Sequence, residues 1–103
     1  MKQETSIQNA IRIALSKHGI KTFRMNIGKF RTQDGRWISI GIKGMSDLLA
    51  LKNGKAIWIE TKTPVGKASK EQIQFIKVMK QDGCKAGFAR SVEDALKLCE
   101  VEE

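Results

Sequence analysis

The chain has 103 residues, 41% hydrophobic and 29% charged, with a formal net charge of +8. These proportions describe a folded domain with a small core and exclude a disordered chain. No apolar run approaches a membrane span, and no apolar stretch follows Lys2 and Glu4, so neither an anchor nor a secretory leader is expected.

One domain over residues 1–103 is expected from this length. The charge is unevenly spread. Residues 1–92 carry 18 bases and 6 acids, a net of +12, while the last eleven residues hold five acids against Lys97. A polyanionic partner and a merely basic soluble surface are both compatible with this balance. Cys84 and Cys99 have no metal-type spacing and read as free thiols in a reducing compartment.

Residues 4–18 read as a helix, because Ile7, Ile11, Ala14 and Leu15 recur at helical spacing and Gly19 supplies a stop. Glu4 continues that stripe. It is either a first-turn charge favoured by the helix dipole or an acid aimed at a site. His18, beside Gly19, suits a cation at a helix C-terminus rather than a ligand. Lys21–Phe30 reads as one strand, with Phe23, Met25 and Ile27 alternating against Arg24 and Asn26. Asp34-Gly35 marks a turn, and Trp37–Ile42 a second extended run. Trp37 is suited either to core packing or to stacking on a base.

The runs Asp47–Leu51 and Ala56–Glu60 flank Lys52-Asn53-Gly54-Lys55. Asn-Gly between apolar runs predicts a hairpin with a two-residue turn, and that turn sets the register. Lys52 then opposes Lys55, Leu51 opposes Ala56, and Asp47 opposes Glu60. Opposed carboxylates repel unless a cation lies between them. Hard oxygen ligands suit Mg²⁺ or Mn²⁺. Lys62, two residues beyond Glu60, shares its face. An ammonium there is either an ordinary strand-end charge or a group that stabilises charge building on phosphate.

Leu49, Leu51 and Trp58 fall on one face of the hairpin, and Leu48, Ala50, Ile57 and Ile59 on the other. Apolar residues on both faces require cover on both sides, which predicts a layered α/β domain. Thr63-Pro64-Val65-Gly66 ends the second strand. Ser69-Lys70-Glu71-Gln72 fits a capping box opening a helix to about Asp82. Gln72 either completes that box or, on the face of Ile76 and Met79, reaches the sheet. Lys85–Arg90 reads as a short strand, and Ser91 caps a last helix with Glu93 and Asp94 in its first turn. Arg24, Lys29, Arg31, Arg36 and Lys43 cluster around the early strands, and Lys67 and Lys70 follow the hairpin. All seven suit phosphate contacts.

The ordered set Asp47 and Glu60-Thr61-Lys62 is similar to the PD-(D/E)xK nuclease signature. More closely, the chain resembles the VRR-NUC family of virus-type replication-repair nucleases. The matching stretches are Asn26-Ile27-Gly28, Gly44-Met45-Ser46-Asp47-Leu48, Trp58-Ile59-Glu60-Thr61-Lys62-Thr63-Pro64, Gly66-Lys67, and Ser69 to Gln72. Ser46 stands where many members of the wider superfamily have proline. The resemblance implies an α/β, restriction-endonuclease-like αβββαβ core, with a mixed sheet flanked by helices. It implies Mg²⁺ or Mn²⁺ held by Asp47, Glu60 and the Thr61 carbonyl, with Glu4 as a helix-borne acid, Lys62 as catalytic lysine and Gln72 as the second-helix glutamine. It further implies a phage-type, structure-specific DNA endonuclease acting on Holliday junctions as a homodimer in a host cytoplasm. A nickase, flap nuclease or exonuclease is the alternative enzyme. A non-catalytic basic nucleic-acid-binding module is the alternative of another class.

Overall fold

The computed structural model describes residues 2–25 and 28–102. The elements are α1 (Lys2–Lys17), β1 (Lys21–Arg24), β2 (Gly28–Arg31), β3 (Trp37–Ile40), β4 (Leu48–Lys52), β5 (Lys55–Thr61), α2 (Lys70–Gln81), β6 (Lys85–Ala89) and α3 (Val92–Leu98). Four strands form a mixed sheet in the order β1-β4-β5-β6, antiparallel except for β5 and β6. Strands β2 and β3 form a separate antiparallel pair between β1 and β4 in the chain.

The predicted hairpin forms in the predicted register, with Lys52 paired to Lys55 and Leu48 to Ile59. Asn53 and Gly54 both take positive φ, 51° and 78°. That combination belongs to a type I′ turn, whose twist matches that of the flanking strands. One face of the hairpin is wholly buried: Leu48, Ala50, Ile57 and Ile59 pack with Ile11 and Leu15 of α1 and Ala95, Leu96 and Cys99 around α3. The other face is covered by α2, where Phe75 meets Trp58 edge-on at 5.1 Å between ring centres. Cover there is incomplete, because Leu51 stays exposed. Cys84 and Cys99 are free thiols.

The single strand expected over Lys21–Phe30 is instead two strands in different sheets, with Asn26 and Ile27 outside the described residues. Met25 donates its amide to the Asp47 carbonyl at 2.9 Å, one residue beyond the β1–β4 ladder. Beyond it, Lys29, Phe30 and Arg31 are all exposed. They pair with β3, across a turn in which the Thr32 amide bonds the Arg36 carbonyl and Arg36 pairs with Asp34. The second run ends at Ile40, not Ile42. Trp37 is 67% exposed, which corrects the core-packing reading of that residue.

Candidate active site

The type I′ turn fixes the ladder up to Leu48 and Ile59. One more step along it sets Asp47 across from Glu60. Glu4 reaches the same place from the first turn of α1. One carboxylate oxygen from each of Glu4, Asp47 and Glu60 lies within 4.8 Å of the others. Lys62 follows β5, and its amide donates to the Ala89 carbonyl at 3.0 Å, extending the parallel β5–β6 ladder past the acids.

Both readings of Gln72 hold. Its Oε1 accepts the Ser69 amide at 3.0 Å in a complete capping box, while its Nε2 donates to Glu60 Oε2 at 3.2 Å. One amide thus ties the start of α2 to the second acid. Asp47 Oδ1 accepts the Thr61 amide at 3.0 Å.

The electrostatics are those of acids held in a dry place. Burial pushes Asp47 above the usual carboxylate range; the Thr61 amide and the Gln8 side chain draw it back, and Glu4 pushes it up. Glu60, only 4% exposed, is pushed up to about 8 by burial and then by Asp47. Lys62 opposes that rise and Glu4 adds to it. Glu60 Oε1 is buried with no hydrogen-bond partner. A buried acceptor left unsatisfied is costly. An unpaired oxygen inside a knot of three acids is what a hard divalent cation would satisfy, so this donor set fits Mg²⁺ or Mn²⁺.

The chain matches the model of the VRR-NUC domain over residues 2–93. It belongs to the VRR-NUC family. No curated protein matches it. VRR-NUC membership makes the chain a nuclease with DNA as substrate, on a restriction-endonuclease-like fold. The αβββαβ core of that fold is α1, β1, β4, β5, α2 and β6, with the β2–β3 hairpin inserted after its first strand.

Around this VRR-NUC site the seven basic residues named above are dispersed. Arg24 ends β1. Lys29 and Arg31 share a face of the β2–β3 hairpin with Trp37, opposite the exposed Phe30 and Ile38. Arg36 is exposed and held by Asp34 at 3.0 Å. Lys43 lies 3.8 Å from Glu71. Lys67 and Lys70 are exposed before and at the start of α2.

Two residues escaped the sequence reading. Gln8 is a buried polar residue one turn beyond Glu4, in contact with Asp47. A polar residue interrupting the Ile7–Ile11 stripe was the available signal. Arg90 donates through one terminal nitrogen to the carbonyls of Thr63 and Gly66, both at 2.6 Å. Its own amide is held by Asp94 at 2.9 Å. No local pattern announces a contact that spans 27 residues.

Gly44 sets the approach to Asp47. Its φ is +89°, and a Cβ there would run into the backbone carbonyl of Glu71. Gly44→Ala is expected to destabilise the fold by roughly 2–3 kcal/mol, from positive-φ strain and overpacking together. A thermal melt should show a fall of roughly 10 °C or more. An unchanged melting temperature would mean that the 41–44 loop does not rest on α2.

Proposed function

We propose that the chain is a divalent-metal-dependent, structure-specific DNA endonuclease that acts as a homodimer on four-way junctions. The observation that carries the catalytic part is the convergence of Glu4, Asp47 and Glu60, with Lys62 two residues beyond Glu60. Asp47, Glu60, the Thr61 carbonyl and Glu4 would hold the cation. When bound, Mg²⁺ or Mn²⁺ supplies Lewis acidity toward the phosphate and a more acidic water. The chain's own groups do the rest. Lys62 offers a fixed ammonium to charge developing on the phosphate. Gln72 orients Glu60, and the Thr61 amide and Gln8 orient Asp47. Arg24, Lys29, Arg31, Arg36, Lys43, Lys67 and Lys70 hold the DNA through its phosphates. A non-catalytic binding module has no use for three mutually repelling acids gathered around a buried Glu60.

The dimer rests on a geometric argument. Resolving a four-way junction takes two symmetric cuts, and one such site makes one. A twofold pair of chains matches the symmetry of the junction. A panel of four-way junction, flap, single-strand and plain duplex DNA, with Mg²⁺, Mn²⁺ or EDTA, tests the reading. Symmetric junction cuts with a divalent cation, and none in EDTA, are expected. Sedimentation should give a dimer at micromolar concentration. A strict monomer on junction DNA would instead promote the nickase or flap-nuclease reading.

Arg90 positions the turn that follows Lys62. Arg90→Ala is expected to slow cleavage roughly ten- to a hundredfold, the scale of a small misplacement of a catalytic group. Added guanidinium should restore part of the rate. Wild-type turnover in Arg90→Ala would remove this residue from the machinery.

A further inference from the structure

A groove of about 960 Å³ runs between α1 and β1, the edge strand of the main sheet. Its lining sets Arg12, Lys17 and Lys21 among the apolar Ile13, Ile20 and Phe23, and includes no acid. None of these three cations has an ion-pair partner among the described residues. Arg12 is set in place by a bond from its Nε to Thr22 Oγ1 at 3.3 Å. A cleft lined by one sign of charge concentrates its field on what enters.

The groove lies along the two elements that lead into the candidate site. Glu4 and Lys17 are thirteen residues apart on α1, about 20 Å at the helical rise. On the other wall, the residue after β1 bonds the Asp47 carbonyl through its amide at 2.9 Å. Each strand of a duplex presents one phosphate per about 3.4 Å, so roughly six phosphates span that length.

We propose that this groove is the track for a duplex arm of the DNA substrate, held through its phosphate backbone. The proposal rests on the DNA-nuclease reading and adds Arg12, Lys17 and Lys21 to the surface that reading uses. Two other occupants fit less well. A second copy paired edge to edge through β1 would bring Lys21 and Arg24 of both chains together, and cations on an edge strand oppose such pairing. A single strand would call for aromatic stacking platforms. Phe23 is the one aromatic residue of the lining, and a single ring cannot stack successive bases. The groove therefore pairs unopposed positive charge with apolar walls and one aromatic ring rather than a row of them.

The test is fluorescence anisotropy in an Asp47→Asn background, so that DNA is bound and not cut. Labelled blunt duplex and a labelled single strand of the same sequence are titrated across a salt series. Adding Lys17→Ala and Lys21→Ala should weaken duplex binding about tenfold or more. It should also reduce the log–log salt slope by about 1.8, or 0.9 for each phosphate released. Single-strand binding should fall less. Duplex affinity within about twofold and an unchanged slope, in a variant that melts like its parent, would overturn the proposal. So would a single strand losing more than the duplex, or a shift in the sedimentation of the free protein with the DNA slope intact. If the parent itself binds duplex with no salt dependence, the nuclease reading fails first, and the groove assignment falls with it.

Discussion

Asp47→Ala, Glu60→Ala and Lys62→Ala are each expected to cut the cleavage rate by at least roughly 10²- to 10³-fold, the loss that follows removal of one preorganised electrostatic group. The three should nevertheless differ. Asp47 and Glu60 supply oxygens to the three-acid cluster, so their removal should also weaken Mn²⁺ binding measured by calorimetry. Lys62 supplies none, so its variant should keep the cation and lose the rate. Stability separates them again. Glu60→Gln removes a buried acid crowded by Asp47 while keeping an oxygen for Gln72, so the metal-free melting temperature should rise. Asp47→Ala relieves the same repulsion but strips the Thr61 amide of its acceptor, a loss of about 1–3 kcal/mol, so stability should hold rather than climb. Near wild-type cleavage in any two of the alanine variants would sink the assignment.

The legible part of this site is the part that local chemistry dictates. Asn53-Gly54 admits one short turn, the turn sets the register, and the register alone brings Asp47 to Glu60. Ser69 and Gln72 are likewise read within one helical turn. What stayed hidden depends on packing between distant segments. The separation of β2 from β1 is set by the partner each strand pairs with, β4 for one and β3 for the other, and alternation in Lys21–Phe30 does not mark that point. Trp37 reads equally as core or surface until its neighbours are placed, and its strand then stands apart from the main sheet. Arg90 and the α1–β1 groove exist only after helices and strands dock. Glu4 stands both in the first turn of α1 and beside Asp47 and Glu60, a coincidence that depends on where α1 docks against the ladder.

The metal-free protein should lose stability as pH rises, which is unusual for a carboxylate. Glu60 has an ordinary value of 4.5 and is pushed up to about 8 in the fold, and Asp47 is displaced in the same direction. Between those two values the unfolded chain has released the Glu60 proton and the folded chain still holds it. Stability then falls with pH, because the folded state binds more protons than the unfolded one. The Glu60 contribution is complete below 4.5, declines through neutrality and is gone above about 8. In EDTA, melting temperatures should therefore drop from pH 5 to pH 8.5, and Glu60→Gln should flatten that slope. A divalent cation competes with the proton for the same oxygens, so its stabilising effect should run the other way. At a hundred times its dissociation constant it adds about 2.7 kcal/mol, or roughly 10–20 °C in a domain of this size. That shift should be largest at pH 8.5 and small at pH 5, where protons occupy the site. Melts in EDTA, Mg²⁺ and Mn²⁺ at three pH values measure both slopes together. A metal shift of equal size at every pH, or an EDTA slope that Glu60→Gln leaves untouched, would remove Glu60 from the centre of the cation site.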